Sequence, residues 1–523
     1  MEFDKEIEIF RKMDSKIVAN ALAFVQKSIE KVPVIQKVID SKLVQENKVA
    51  AGITAVGAGV VAAATISKFV NCEGKRYDFA AIPNMTYEES IYDVITIGAG
   101  PSGSTLGYYL AREGRKVALL EKKKFPRDKF CGDAVATMAQ DILREMGVMK
   151  ELVDEDLGHF AQNGGFVSPN GNSFIGNSAK ELARDAKYNR GAVIAVKRIY
   201  LDEKIAKAAK RMGAELIENT TVNTAKFDRE TGLWTIECVD SENNTPSVYK
   251  ARCLICADGS PSAAARALGY VKTEPNGVCS RSYVKNNTTF KYDGVVFYPK
   301  SLLPGYCAII REARDELNYL AYIIPGGEAT IDDLSKFHHE YMEKDPFISA
   351  ALGPNPDIER MKAAPLRLGG IKKSYDDHML IIGDAAGFID PLTGEGIQYA
   401  MEGSKIAAEV LIRAFREKDL SHQSLKRYQD RWMSRFGHEF DMSMKMSLLL
   451  YRFPIVLDAA ASLIGKRGSR FLAEWAAVMT GVEPKTWFLR PDVGPFIFLE
   501  IITECGRRIF KKQNFKVDNA TSY

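Results

Sequence analysis

Apolar runs and amphipathic stretches alternate in the middle of the chain, and their order is the first guide to the fold. Residues 94–97 form a short β-branched run that is typical of a buried parallel strand. A Gly-rich turn follows, and residues 102–112 have helical spacing with Gly114 as a C-cap. Residues 116–120 form a second buried run. The pattern predicts a strand–helix–strand unit at the start of a folded domain.

The pattern then changes twice along the chain. Residues 221–227 and 233–239 alternate like the two arms of a hairpin. Residues 271–330 are rich in Tyr, Val, Phe and Ile with repeated turn signals, which predicts a β-rich insert. A further buried strand at 379–382 precedes a Gly-rich turn and a helix from about 396 to 416. The remaining C-terminal sequence predicts mainly helices.

The N-terminal segment has a different composition. Residues 1–48 predict one or two amphipathic helices. Residues 50–67 carry no charge over 18 positions, about the shortest length that can cross a bilayer. Small side chains recur there at every fourth position, which suits close helix packing in lipid. A membrane anchor at residues 49–70 and a soluble Ala/Gly helix both fit, and lysines on both flanks leave the orientation open.

The amino-acid composition mainly excludes classes of partner and site. The chain has 71 Lys and Arg against 67 Asp and Glu, a balance too even to indicate a nucleic-acid partner. Its eight cysteines show no disulfide framework and are typical of thiols in a reducing compartment. Cys253 and Cys256 form a CxxC pattern inside an apolar run, which predicts buried strand residues. The six histidines show no metal spacing, so no metal is expected, and His338 and His339 are predicted on a solvated helix surface.

The turn after the first strand carries the clearest chemistry. It reads Gly98-Ala99-Gly100-Pro101-Ser102-Gly103. Gly98 permits the tight turn, Gly100 lets the backbone approach a pyrophosphate, and Gly103 lets the helix pack on the strand. Glu121 closes the second strand 23 residues after Gly98, where a carboxylate can accept hydrogen bonds from ribose hydroxyls. Strand, turn, helix and acid in this order predict a dinucleotide site, with phosphates at the helix N-terminus.

Two later turns extend this site. Asp258 and Gly259 follow a buried strand, which is a weak signal by itself. Asp384 lies in the run Gly383-Asp384-Ala385-Ala386-Gly387, where a strand delivers it to the expected position of a ribityl chain. The run 391–397 then opens a helix whose N-terminus can face a flavin ring and stabilise its anionic reduced form. Together these turns predict FAD.

In this order the motifs resemble the FAD-dependent oxidoreductases of the para-hydroxybenzoate hydroxylase fold, and above all the geranylgeranyl reductase family. The specific matches are Phe125-Pro126-Arg127-Asp128-Lys129-Phe130-Cys131-Gly132-Asp133 and the run from Gly383 to Ile397. The resemblance covers residues 91–415, roughly three fifths of the chain. It implies FAD as the cofactor and the saturation of carbon–carbon double bonds in isoprenoid chains.

The resemblance also implies which residues form the site. The expected cofactor contacts are Gly98, Gly100, Pro101, Ser102, Gly103, Glu121, Arg127, Cys131, Gly132, Asp133, Arg198, Val222, Asp258, Gly259, Gly383, Asp384, Pro391, Gly394, Glu395, Gly396 and Ile397. Cys131 lies in the loop that crosses over the isoalloxazine in the family. A thiol there could donate a proton or line the cavity, and a small buried hydrophobe is the alternative. Cys131 and Tyr306 are the candidate catalytic residues.

One stretch departs from the family. The reductases carry a Tyr-x-Trp-x-Phe-Pro signature at the substrate cavity. In the corresponding stretch Tyr306 is kept, Ala308 stands for the Trp and Arg311 stands for the Pro. Replacing Trp by Ala enlarges a cavity, so we expect an apolar isoprenoid or other lipid substrate whose chain differs from geranylgeranyl.

Three functions stay open at this point. The first is a reductase that acts on an alkene, and the second is a lipid monooxygenase, because squalene monooxygenase also joins an N-terminal membrane segment to this fold. The third is a flavin-binding scaffold without catalysis, against which Asp384 and the run 391–396 argue. No second GxGxxG for a nicotinamide domain is seen, so the reductant would be NADPH docking transiently near the flavin or a protein electron donor.

The predicted fold class is α/β, with a Rossmann-type FAD-binding domain, a β-rich substrate domain inserted in it, an N-terminal helical or membrane segment and C-terminal helices. The predicted boundaries are 1–48 for the amphipathic helical region, 49–70 for the transmembrane anchor, 91–270 and 365–415 for the two parts of the FAD-binding domain, 271–364 for the β-rich domain and 416–523 for the C-terminal helices. We expect association with a membrane, with the catalytic domain facing a reducing compartment, on the cytosolic face or inside an organelle.

Overall fold

The computed structural model of the chain describes residues 91–177, 193–303, 305–324 and 331–510. The chain divides into two compact units. The larger unit is formed by 79–454 with 467–483, and the smaller unit is formed by 1–78, 455–466 and 484–523.

The N-terminal predictions fall outside the described residues. This holds for the amphipathic helices at 1–48 and for the anchor at 49–70. Among the residues that are described, no single helix is long and apolar enough to cross a membrane. One bent pair, His422–Leu450 with Ile455–Arg467, meets the criteria of length and composition together.

The described strands form three sheets. In chain order the strands are β1 (Ile91–Ile97), β2 (Val117–Leu120), β3 (Ala134–Val135), β4 (Gly158–Phe160), β5 (Gly164–Val167), β6 (Ser173–Gly176), β7 (Ile194–Val196), β8 (Glu215–Ile217), β9 (Thr220–Asp228), β10 (Leu233–Asp240), β11 (Pro246–Cys256), β12 (Gly277–Lys285), β13 (Gly294–Phe297), β14 (Gly305–Arg311), β15 (Leu317–Ile323), β16 (Asp357–Ile358), β17 (Lys362–Leu366), β18 (Tyr375–Asp376) and β19 (Met379–Ile381).

The first sheet confirms the Rossmann-type prediction. Strands β8, β2, β1, β11 and β19 lie side by side and parallel, with β18 antiparallel at the edge. All seven residues of β1 are buried, which is why residues 94–97 do not show the alternation of a half-buried strand. Cys253 and Cys256 are buried in β11, as predicted. The predicted hairpin is β9 with β10, which pairs in turn with β11.

Thirteen α-helices occur in the described residues. They are α1 (Pro101–Arg112), α2 (Thr137–Glu145), α3 (Val148–Asp154), α4 (Arg198–Arg211), α5 (Ala263–Ala267), α6 (Ile331–Lys344), α7 (Pro346–Leu352), α8 (Ile397–Glu417), α9 (His422–Trp432), α10 (His438–Arg452), α11 (Ile455–Arg467), α12 (Ser469–Met479) and α13 (Gly494–Phe510). Helix α1 contacts both α4 and α8. Within the described part of the larger unit, α12 is the last helix along the chain.

The second sheet is the β-rich region, and it is wider than the predicted segment 271–364. Its order is β16-β12-β15-β14-β13-β5-β6, with β17 also paired to β12. Strands β5 and β6 precede residue 271, and β5 pairs in parallel with β13. The sequence pattern does not predict β5, because Gly164 and Gly165 interrupt its apolar residues. A Cβ at Gly165 would lie 1.9 Å from the Phe174 carbonyl oxygen, so glycine is what allows the two strands to pair.

The prediction that both adjacent histidines on α6 lie on a solvated surface is wrong for one of them. His339 is exposed, but His338 is buried and its Nε2 lies 2.7 Å from Ser280 Oγ. Neighbouring residues of a helix point about 100° apart, so one of the pair can face the second sheet while the other faces solvent. Burial lowers the pKa of His338 to about 4, so this side chain is a neutral core residue.

Candidate functional site

A cavity of ≈ 1180 Å³ runs through the larger unit. At one end its walls are the carboxyl ends of β1, β2 and β11 and the N-terminus of α1. At the other end the walls are β13, β14 and β15 of the second sheet together with α12. Pockets for drug-sized ligands occupy about 300–1,000 Å³, so this cavity can hold a large cofactor with a substrate beside it.

The Gly-rich turn after β1 leaves room for phosphate. Gly98 has φ +103°, and a Cβ there would lie 2.4 Å from the Ala257 carbonyl oxygen. A Cβ at Gly103 would lie 2.0 Å from the Gly98 carbonyl oxygen, so the helix and the turn touch backbone to backbone. At Gly100, by contrast, the nearest atom to an added Cβ is Arg127 Nη2 at 3.7 Å. This open space beside the N-terminus of α1, which no side chain caps, fits a pyrophosphate.

Glu121 is fixed at the wall of the same end of the cavity. The carboxylate accepts hydrogen bonds from the backbone N–H of Ala99 at 3.3 Å and of Lys123 at 3.2 Å. Arg127 Nη2 donates a third, also at 3.2 Å. Held in this way directly after β2, the acid lies where the sequence predicts a ribose.

Two arginines share one buried acid that the sequence analysis missed. Arg127 Nη1 donates to Asp202 at 2.7 Å, and Arg198 donates from Nε and Nη2 at 2.6 and 2.9 Å. Burial opposes the ionisation of Asp202, but Arg198 and Arg127 together hold the pKa of its carboxyl below the usual value. The spacing of Arg198 and Asp202, four positions apart on α4, was the available signal.

The turn after β11 presents an orphaned oxygen. Asp258 Oδ2 accepts a hydrogen bond from the Ala264 N–H at 2.9 Å, whereas Oδ1 is buried with no hydrogen-bond partner among the described residues. Burial raises the pKa of the Asp258 carboxyl. Gly259 and Val222 line the same part of the cavity. A ligand that donates a hydrogen bond here would satisfy this oxygen, as the hydroxyls of a nucleotide can.

The turn after β19 meets the first turn of α1. Gly383 has φ +61°, and a Cβ there would lie 1.8 Å from Ser102 Oγ. Asp384, the next residue, lines the cavity, and Lys129 Nζ donates to its Oδ2 at 2.6 Å. The pair offers an acceptor and a donor side by side, which fits a hydroxyl-rich chain such as ribityl.

The turn at 390–396 is ordered by its own first residue. The carboxylate of Asp390 accepts hydrogen bonds from the N–H groups of Leu392 at 2.8 Å and Thr393 at 3.2 Å. Helix α8 begins directly after the turn at Ile397, and no side chain caps it. The free N–H groups of this helix start are therefore available at the cavity wall.

Two tyrosines from the second sheet donate hydrogen bonds to the same turn. The Tyr306 hydroxyl donates to the Thr393 carbonyl at 2.5 Å, and the Tyr322 hydroxyl donates to the Pro391 carbonyl at 3.0 Å. The rings lie 5.2 Å apart between centroids. Tyr306, predicted as a catalytic residue, lines the cavity and is bonded to the turn, so we expect it to position the turn; its catalytic role stays a prediction.

We expect the double variant Tyr306→Phe/Tyr322→Phe to retain FAD but to lower the reduction potential of the bound flavin. Each lost hydrogen bond is worth about 0.5–1.5 kcal/mol, so the fall should be roughly 20–60 mV for a two-electron couple. A spectroelectrochemical titration measures it. Tyr319→Phe is the matched control, because Tyr319 lies on the opposite face of β15 in the core of the second sheet. An unchanged potential in the double variant would contradict the positioning role.

The loop at 127–133 ends on a buried polar cluster. The Tyr283 hydroxyl donates to Asp133 Oδ2 at 2.5 Å, and Asn318 Nδ2 donates to the same oxygen at 2.9 Å and to the Cys131 carbonyl at 3.1 Å. Asp133 is fully buried, and its Oδ1 has no hydrogen-bond partner in the described part of the chain. Burial raises the pKa of Asp133 to about 7 and also raises the pKa of the Cys131 thiol. Cys131 lines the cavity as a protonated thiol at neutral pH.

The cavity-facing side of β14 contains one of the two positions that depart from the family signature. Tyr306, Ala308 and Ile310 line the cavity, and the residues between them belong to the core of the second sheet. Arg311 does not line the cavity, and its Nε donates to the Tyr292 carbonyl at 3.3 Å. Of the two departures from the signature, the one at Ala308 therefore lies on the cavity wall and the one at Arg311 does not.

Helix α12 forms a further wall of the cavity and contacts the second sheet at Phe166. Leu472, Trp475, Ala476 and Met479 line it, at the spacing of one helix face. The spacing is visible in the sequence, but the sequence does not say what this face covers.

Comparison with known proteins decides the family. The FAD binding domain family matches residues 91–435, which is more than half of the chain. The chain belongs to the FAD-dependent oxidoreductases.

Relatives of this FAD-dependent oxidoreductase carry different names. Conditioned medium factor receptor 1 of Dictyostelium discoideum is 80% identical over 510 residues, which covers 97% of this chain and 100% of the relative. Digeranylgeranylglycerophospholipid reductase of Methanocaldococcus jannaschii is 29% identical over 385 residues, covering 72% and 91%. A solved geranylgeranyl bacteriochlorophyll reductase-like structure from Thermoplasma acidophilum superposes with a TM-score of 0.65 at 18% identity, covering 79% and 99%. That likeness shows the shared fold.

Most of the predicted cofactor contacts of this oxidoreductase line the one cavity. Gly103, Gly383 and Pro391 do not line the cavity. They lie in the turns that carry the lining residues. Gly132 lies against the second sheet, where a Cβ would come within 2.8 Å of Leu320 Cδ2. Residues that the sequence analysis did not assign to the site are Asp202, Lys129, Asp390, Tyr322, Leu472, Trp475, Ala476 and Met479.

Proposed function

We propose that this flavoprotein reduces carbon–carbon double bonds in an isoprenoid or similar lipid chain. The observation that carries the proposal is the apolar extension of the cofactor cavity. Next to the turn at 391–396, the cavity is lined by Val296, Ala308, Ile310 and Leu320. Apolar walls bind an apolar chain by removing its surface from water and so hold it in one orientation.

The FAD-binding residues fit the cofactor, which supplies a hydride when it is bound and reduced. The chain's own residues would position the alkene, exclude water and deliver a proton to the second carbon. Cys131 is the candidate donor because its thiol lines the cavity and burial keeps it protonated. Asp133 would return the proton, since an acid with a pKa near neutrality transfers protons most effectively at that pH.

Anaerobic mixing of chemically reduced, FAD-loaded protein with prenyl lipids tests this proposal. We expect saturated product without oxygen. Cys131→Ser should keep FAD and slow the step after flavin reduction by about hundredfold or more, since general acid catalysis is worth about 10²–10⁴. Cys279→Ser is the control, because Cys279 is a second thiol on the same cavity wall. It should leave the rate unchanged.

A lipid monooxygenase on the same fold is the alternative enzyme. It would require oxygen and give a product heavier by one oxygen atom. Such a product, absent in the anaerobic experiment, would overturn the reductase proposal. We further propose NADPH or a protein electron donor as the reductant, and lipid-dependent oxidation of NADPH by the purified protein would distinguish the two.

We also propose that the protein associates with a membrane through residues 49–70. The support is the uncharged stretch from Ala50 to Ser67 and the apolar substrate proposed above. Deletion of residues 1–70 should move the protein from the membrane pellet to the soluble fraction and leave FAD bound. Full-length protein that is soluble in lysate without detergent would contradict this proposal.

A second candidate function is the binding of conditioned medium factor. The observation in its favour is the 80% identity to the relative named conditioned medium factor receptor 1. Binding of purified conditioned medium factor to the full chain, measured for the wild type and for Cys131→Ser, tests it. Equal binding by both, with no lipid turnover by the wild type, would favour the receptor over the reductase.

A further inference from the structure

A continuous wall of aromatic rings follows the cavity. Trp475, Phe166, Tyr298, Tyr306 and Tyr322 all line it. Successive ring centroids lie 5.8, 6.1, 6.0 and 5.2 Å apart, in that order. These separations are within the range of direct ring contact. The wall therefore has no break between its first and last ring.

The two ends of this aromatic wall differ. Tyr306 and Tyr322 donate hydrogen bonds to carbonyls of the turn at 391–393, which belongs to the flavin end of the cavity. At the other end Trp475 stacks on Phe166 with the ring planes 20° apart. Trp475 is buried, with 8% of its surface exposed. The aromatic wall thus runs from the flavin end of the cavity to the indole of Trp475.

A row of cross-strand pairs connects Phe166, on which this indole stacks, to Ala308. Phe166 pairs with Val296, Val296 with Ala308, and Ala308 with Leu320, on four adjacent strands. All four line the cavity, and Ala308 has the smallest side chain of them. Neighbouring strands lie about 4.8 Å apart, so Phe166 is about 10 Å from Ala308. The indole of Trp475 stacks on Phe166 and so lies at one end of this row, two strands away from Ala308.

We propose that Trp475 is a specificity-determining residue that closes the far end of the lipid cavity and sets the length of chain it accepts. This inference rests on the proposed lipid function. Trp475 comes from α12, outside the region 91–435 that the family matches. An indole from the C-terminal helices would supply the end wall, in place of an indole at position 308.

Binding of geraniol, farnesol, geranylgeraniol and solanesol to the oxidised FAD-loaded protein tests the inference without turnover, through the change in the flavin absorption spectrum. We expect Trp475→Ala to shift the tightest binding to a longer alcohol, with a gain of about tenfold or more for that alcohol over the shorter ones, as for a cavity enlarged by several methylenes. Trp475→Phe keeps a ring at the end of the wall and should keep the wild-type order.

Two further variants keep the test decisive if Trp475→Ala does not fold. Ala476→Phe adds a ring to the same cavity face and should shift the preference to shorter alcohols. Phe471→Ala is the matched control, because Phe471 is a buried aromatic residue of α12 that does not line the cavity. It should leave the order of affinities unchanged.

The possible failures are distinguishable. If the wild type binds the alcohols and a folded Trp475→Ala protein shows the wild-type order, the role of Trp475 is wrong while the lipid proposal stands. If Trp475→Ala does not fold, the wild-type order in Ala476→Phe has the same meaning. If the wild type, with FAD bound, gives no spectral change with any alcohol and no saturated product, the proposed function fails, and this inference fails with it.

Discussion

Substitution of Gly100 by valine is expected to abolish FAD binding while leaving the fold intact. An added Cβ meets no described atom nearer than Arg127 Nη2 at 3.7 Å, and the backbone φ of −70° suits any residue. The side chain would instead occupy the space that a pyrophosphate needs. We expect the affinity for FAD to fall at least about hundredfold, roughly 3 kcal/mol, measured by flavin absorbance and reconstitution. Circular dichroism should match that of the wild-type protein stripped of FAD.

Valine substitutions at two other glycines serve as comparisons for Gly100→Val. Gly103→Val should destabilise the whole unit, because its Cβ would lie 2.0 Å from the Gly98 carbonyl oxygen. Gly465→Val, in a helix with nothing within 4 Å of an added Cβ, should bind FAD as the wild type does. A yellow, FAD-saturated Gly100→Val protein would show that the cofactor does not approach this turn.

The second large effect is expected from Ala308→Trp. This change places a Trp at the position where the geranylgeranyl reductases have theirs, on the cavity face of β14. The ring would fill the gap between Val296 and Leu320, its paired neighbours on the adjacent strands. We expect kcat/KM for a long prenyl lipid to fall about tenfold or more, with FAD content unchanged. Steady-state kinetics over a series of chain lengths measures this loss.

Cys307→Ala is the control for Ala308→Trp. Cys307 is the preceding residue of β14, and its side chain lies in the core of the second sheet on the other face. Its replacement should cost some stability and leave the choice of substrate unchanged. If Ala308→Trp turns over every lipid at the wild-type rate, the substrate does not lie along β14.

The cofactor end of the site could be predicted because its signals are local. Gly98, Gly100 and Gly103 lie within six positions. Neighbouring backbone requires glycine at Gly98 and Gly103, and Gly100 leaves open space for a pyrophosphate. Glu121 follows the next strand, and the parallel pairing of β1 with β2 brings that strand end to the turn. In a strand–helix–strand unit, spacing along the chain fixes position in space, so the sequence could be read directly.

The partners of these residues could not be predicted in the same way. Asp202 lies 75 positions from Arg127, and Asp384 lies 255 positions from Lys129, yet each pair forms one hydrogen-bonded ion pair. An acid and a base so far apart give no periodic signal. Which acid meets which base is set by how α4 and the turn after β19 pack on the first sheet.

The sequence by itself therefore determined the parallel sheet, the FAD-binding turns and the departure at Ala308, because apolar period and turn chemistry act over a few residues. Only the tertiary structure decided what surrounds Ala308. It placed Arg311 off the cavity, bonded Tyr306 to the turn at Thr393, and brought Trp475 from a distant helix onto Phe166. The physical reason is that a cavity is bounded by faces of several elements, and the packing of those faces depends on the whole chain.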